Sequence, residues 1–162
     1  MKVEIKYKDV DKIFVGTVED VWTCVNRFFA EFIPTFEVAS RLVLKVDMQA
    51  LAKDCEGLIG FSKEGVNLLV SKDKLTDNEA LLMWLLGSYV GFRLGFVDRE
   101  AFSKDDLQMK LGKSGKIVST RLGELVKGDY VVKDNDEKFR LTTYGVTQMQ
   151  KETLPKVRAK TA

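Results

Sequence analysis

Apolar positions recur along this chain in two rhythms. "KVEIKYK" sets Val3, Ile5 and Tyr7 against charged neighbours, the period of a strand with one buried face. "DVD" turns the chain into "KIFVG", which predicts a hairpin. Thr17, with Asp20 three residues on, predicts a helix start. The stretch "VEDVWTCVNRFFAEFI" then places Val18, Val21, Trp22, Val25, Phe29 and Phe32 on one helical stripe, with Phe28 off it. That helix must stop before Pro34, because the residue preceding proline avoids the α region. "RLVLKV" (41–46) reads as a strand and "DMQALAKDC" (47–55) as a short helix. "LIGFS" and "VNLLVS" read as a second hairpin across "KEG".

The second half is helical until residue 127. Thr76 and Glu79 form a capping box. After it comes "EALLMWLLGSYVGFRLG", apolar on every side, the signature of a helix buried all round or of one that pairs with a second copy. Ser103 and Asp106 cap "KDDLQMKL", which Gly112 ends in the position a C-cap glycine prefers. Ser114 caps a helix over about 115–127, and Leu107, Leu111, Val118, Leu122 and Leu125 form the predicted core between the two. "YVVKD" and "EKFRL" predict strand, turn, strand. Thr142 or Thr143 caps a last helix, "YGVTQMQKETL", expected to end before Pro155.

The expected class is α+β. A small mixed α/β domain spans 1–75, and a second domain spans 76–162 with a long apolar first helix and a basic tail, "KVRAK". Charge follows the same division. Residues 1–95 hold 12 Lys/Arg against 14 Asp/Glu, net −2, whereas residues 96–162 hold 14 against 10, net +4. The basic end therefore favours a polyanionic partner.

Candidate chemistry is sparse. There is no histidine, and Cys24 and Cys55 lack C-x-x-C spacing, which excludes a zinc finger and the Ser-His-Asp and Cys-His nucleophile arrangements. The two thiols are expected to be buried and reduced. No phosphate-binding glycine motif occurs, and the glycines of "GLIGFSKEG" suit a hairpin better. A non-enzyme without a cofactor is the expectation. The start of the chain lacks a secretory apolar run, and "ALLMWLLGSYVGF" is too short to span a bilayer, so a cytoplasmic protein without a membrane partner is expected.

"SGKIVSTRLGELVK" and "FRLTTYG", with the element order over about residues 77–153, resemble the recognition helix and post-wing cap of archaeal winged helix-turn-helix regulators. The resemblance implies a C-terminal winged helix that binds nucleic acid, duplex DNA ahead of single strands, as a homodimer regulating transcription. Carried onto this chain, it assigns the contact to Lys113, Ser114, Lys116, Thr120 and Arg121 on the helix and to Lys133, Lys138 and Arg140 on the wing. Two features depart from the pattern. Asp129 stands where the family has glycine before the wing strand, a left-handed position that Asp tolerates. The wing tip carries Asp134, Asp136 and Glu137, which oppose a phosphate backbone.

Two alternatives stand beside this reading. The same helix face also suits protein assembly. The N-terminal aromatics Phe14, Trp22, Phe28, Phe29, Phe32 and Phe36 suit base stacking, and that half is faintly similar to ThermoDBP-type single-stranded-DNA-binding domains.

Overall fold

The computed structural model describes residues 1–7, 10–32 and 42–161. Residues 8–9, 33–41 (with Pro34 and Phe36) and 162, and the Tyr7 and Phe32 side chains, lie outside the described residues. The described chain is α+β and falls into two compact units, Met1–Val43 and Leu44–Ala162.

In the first unit, β1 (Lys2–Tyr7) and β2 (Val10–Val15) pair antiparallel, with Val3 opposite Phe14 and Ile5 opposite Lys12. Side chains alternate across a strand, so Val3, Ile5 and Phe14 share a face. Helix α1 (Val18–Phe32) starts at Thr17, whose hydroxyl accepts the Asp20 N–H at 3.2 Å. Its packed face differs from the predicted stripe. Val21 is buried, and the half-buried Phe28 brings its ring within 5.9 Å of Phe14, whereas Val18 and Trp22 stand 66% and 65% exposed. Val18, Trp22, Val25, Phe29 and Val21, Val25, Phe28 both fit a 3.6-residue period, so apolarity alone does not choose between them. The position of Phe14 on the hairpin does.

The second unit is built around one helix. Residues 44–46 form no strand: β3 (Ile59–Ser62) and β4 (Gly65–Leu68) pair only with each other, and without a ladder partner the stretch stays irregular. Asp47 caps α2 (Met48–Cys55), its Oδ1 accepting the Gln49 and Ala50 N–H groups. A short 3₁₀ turn, Lys72–Lys74, leads into α3 (Asp77–Arg93), which carries the full Thr76–Glu79 capping box. Every residue of α3 from Ala80 to Gly91 is buried. The β3–β4 hairpin covers one side of it, and α4 (Lys104–Leu111), α5 (Gly115–Lys127) and β6 (Phe139–Leu141) cover the rest. Two glycines admit the hairpin. A Cβ at Gly87 would overlap Val66 and one at Gly91 would lie 2.5 Å from Phe61. The apolarity of α3 from Ala80 to Gly91 is thus buried inside the protein, while Phe92 near its end stays exposed.

β6 pairs antiparallel with β5 (Val131–Lys133), and Phe102 adds one residue of a third strand. Its N–H donates to Phe139 O at 3.0 Å, and its carbonyl oxygen accepts the Phe139 N–H at 2.8 Å. Asp129 sits at φ 60° in the turn before β5, the left-handed position, while Gly128 at φ −84° is ordinary.

The last helix does not end before Pro155. It runs as α6 (Thr143–Gln148), a π-helical turn (Met149–Thr153) and α7 (Leu154–Thr161). Pro155 occupies the first turn of α7, where its missing N–H is tolerated, and the widened turn relieves the clash a proline makes with the carbonyl four residues back. Nor is the tail free to reach outward. Val157 is buried, Arg158 donates to Asp54 O and Glu56 O at the end of α2, and Lys160 Nζ lies 2.7 Å from Glu79 Oε2. Burial opposes ionisation of Glu79, but Lys160 and the Thr76 bonds outweigh it and hold the carboxyl below the usual range.

The cysteines divide. Cys55 is buried, and burial first, then the Asp54 charge, pushes its thiol up to about 12, whereas Cys24 on α1 is exposed. Alkylation of the native protein with iodoacetamide at neutral pH should therefore modify Cys24 alone, with Cys55 reacting only after denaturation. Equal labelling of both by mass spectrometry would contradict this packing. Among the described residues, no helix is long and apolar enough to cross a membrane.

Candidate nucleic-acid interface

Helix α5 is held by its inner face. Val118, Leu122 and Leu125 are buried, at i, i+4 and i+7. Ser114 caps it, its hydroxyl accepting the Ile117 N–H at 3.4 Å, and Gly112 ends α4 at φ 69° to make the tight connection. Helical geometry then sends Lys116, Thr120, Gly123 and Lys127 outward as one stripe. Lys116 and Lys127 are exposed, stand about 16 Å apart by the rise of the helix, and join no ion pair among the described residues. Gly123 between them faces open space. Thr120 donates its hydroxyl proton back to Lys116 O at 3.0 Å and keeps lone pairs for a donor. Lys113 is exposed in the turn before the helix.

Arg121 belongs elsewhere. It is half-buried on the flank of α5, Nη1 lying 3.1 Å from both Glu124 carboxylate oxygens and Nε 3.9 Å from Asp77. Asn78 donates to Glu124 Oε2 at 3.2 Å, and the two hydrogen bonds, from Asn78 and then Arg121, hold the exposed Glu124 carboxyl below its usual range. Arg121 therefore ties α5 to the start of α3. Lys127 takes its place on the outward face, and a 3.6-residue period counted on from Lys116 was the signal that could have found it.

The wing divides its charges by face. Val132 pairs with Arg140, and alternation puts Lys138 on the same side as Arg140. Neither joins an ion pair among the described residues. Lys133 lies on the opposite side, its Nζ 2.6 Å from Glu137. The acidic tip is also less hostile than its composition. Asp134 Oδ1 accepts the Asp136 and Lys138 N–H groups, each at 2.9 Å, so this carboxylate builds the turn. Glu137, at φ 61°, is matched by Lys133. Only the Asp136 carboxylate is left with no partner among the described residues of the tip.

Behind the wing, Thr142 explains the "LTTYG" stretch. Its hydroxyl accepts the Gly145 N–H at 2.8 Å and donates to Asp129 O, fastening α6 to the turn before β5. In the N-terminal unit, Phe28 is committed to Phe14 and Phe29. Trp22 is the exposed ring, and its neighbour one helical turn back is Val18, an apolar setting without a cation on that turn. Comparison with protein-family models, curated proteins and solved structures gives no match.

Proposed function

We propose that residues 77–161 form a winged helix-turn-helix that binds duplex DNA, and that the protein is a DNA-binding regulator rather than an enzyme. The element order supports it: α3, the Phe102 bridge strand, α4, a tight turn, α5, then the β5–β6 ribbon. The observation that carries it is the outward stripe of α5, where two lysines without ion-pair partners among the described residues flank Thr120 and an open glycine. A lysine ammonium neutralises a phosphate or meets a guanine edge, and the missing Cβ at Gly123 lets a groove wall approach the helix. Lys113 at the helix start and Lys138 with Arg140 on one side of the wing extend the basic surface. Pairing of two copies would present two such helices to two half-sites, and the exposed Val18 and Trp22 are among the apolar side chains open to it.

Titration of the protein against duplex DNA, single-stranded DNA and RNA of one length, at two salt concentrations, tests the reading. Duplex should bind most tightly, and log affinity should fall against log salt by about 0.9 for each phosphate contacted. Asp136→Asn should tighten duplex binding, since it removes the unmatched charge at the tip and leaves the Asp134 turn in place. A flat salt response, or a preference for single strands, would overturn the proposal.

A further inference from the structure

The 3₁₀ turn at Lys72–Lys74, α3 and the end of α4 border a cavity of about 300 Å³ that the outward stripe of α5 does not use. Its charged lining is Lys72, Lys110 and Lys113 against Asp73 and Asp77, with Trp84 in the wall. Asp77 already faces Arg121 at 3.9 Å. None of the three ammonium groups joins an ion pair among the described residues. Lys110 Nζ instead lies 4.1 Å from the centroid of the Trp84 ring and 5.2 Å from that of Phe102. Aromatic faces attract a cation but leave its N–H groups without oxygen acceptors. Burial holds the Lys110 ammonium below the usual lysine range. Asp106 opposes this, and the positive charges of Arg99 and Lys72 add to it. Trp84 is only 9% exposed, and its Nε1–H has no acceptor among the described residues. Buried N–H donors without acceptors are rare in folded proteins, and each calls for an explanation.

The lining thus carries more cationic donors than carboxylate acceptors. Three ammonium groups against two carboxylates, one of them already matched by Arg121, leave a surplus of between one and two positive charges. A phosphate group carries about −1.5 to −2 at neutral pH and presents three acceptor oxygens. We propose that this cavity is a binding site for a small phosphate compound, inorganic phosphate or a phosphate monoester, held by Lys72, Lys110 and Lys113 beside Trp84. The site goes beyond the duplex-binding reading and does not rest on it. Lys113 immediately precedes Ser114, the cap of α5, so occupancy bears directly on the turn that presents that helix.

The chain has two tryptophans. Trp22→Phe therefore leaves Trp84 as the one indole reporter in the full-length protein. Inorganic phosphate is titrated at constant ionic strength, with chloride as the balancing anion, while the Trp84 indole N–H resonance and emission are followed. A saturable shift is expected, with the double variant Lys72→Gln/Lys113→Gln weakening it at least tenfold. Both of those lysines are exposed, so the fold is kept, and an unchanged melting temperature checks that. Lys110→Met should remove the response. The proposal is overturned by the absence of a saturable shift up to the order of 10 mM phosphate, a concentration covering even weak specific sites. An undiminished response in the double variant overturns it too. So does a response to short duplex DNA with none to phosphate, because the donors then meet a backbone phosphate and no small-molecule site exists.

Discussion

Gly145→Ala should destabilise the protein by about 3 kcal/mol or more, the upper range for overpacking a site that cannot yield. A Cβ at this position would overlap the carbonyl oxygen of Tyr130 and lie 2.9 Å from its carbonyl carbon and 3.0 Å from its Cα. All three atoms are backbone, and that backbone is fixed. Thr142 N–H donates to Tyr130 O at 3.0 Å, and Tyr130 N–H donates to Leu125 O at 3.0 Å. Retreat would break the junction of α5, the wing and α6 together. Gly123→Ala serves as the control, since nothing lies within 4 Å of its Cβ position, and alanine there should be neutral or slightly stabilising through helix propensity. Urea denaturation of both variants measures the difference. Equal midpoints would mean that α6 does not approach Tyr130 as closely as described.

Reversing Lys116 and Lys127 together to glutamate should weaken duplex binding by roughly 60-fold or more at 0.1 M salt. Each lost phosphate contact withholds about 0.9 of a released counterion, a factor of about 8 at that concentration, and two contacts multiply. The new carboxylates add repulsion to this loss. Both side chains are exposed and join no ion pair among the described residues, so stability should hardly move. Arg121→Ala should behave the opposite way. It releases Glu124 and Asp77 from their partner and loosens the seam between α5 and α3, with a small effect on affinity. Anisotropy titrations of the three proteins against one duplex separate these roles. Loss at Arg121 with none at the lysine pair would place the contact on the flank of the helix.

Much of this could be read along the chain, where a signal and its effect lie within a few residues. The capping boxes at Thr76–Glu79 and Ser103–Asp106, the left-handed Gly112 and the Ser114 cap all stand where their spacing puts them. What escaped depends on distant partners. The 44–46 stretch has the composition of a strand, but among the described residues no strand pairs with it. Nothing near Arg121 in the sequence announces that Asp77 waits 44 positions earlier, and nothing near Lys160 announces Glu79. Trp22 and Phe28 exchange roles because two stripes of one helix are equally apolar and a hairpin residue decides between them. The Phe102 bridge is too short to leave a strand period at all.

The clasp of the last helix bears on how the chain reaches this state. Gln150 and Arg158 reach back 96 and 104 positions to Asp54, and Lys160 reaches 81 back to Glu79. α3 is thus covered by residues made before it and by residues made long after it. While the chain is being synthesised, the leucines of α3 can meet the β3–β4 hairpin first and α4, α5 and β6 as these emerge, whereas Asp54 and Glu79 wait longest for their partners. Long sequence separation delays closure, because loop entropy must be overcome before the contact contributes. The slow step of folding should therefore be the docking of residues 143–161, and the species that precedes it, with the surface that receives Met149, Leu154 and Val157 still open, is the one most prone to aggregate.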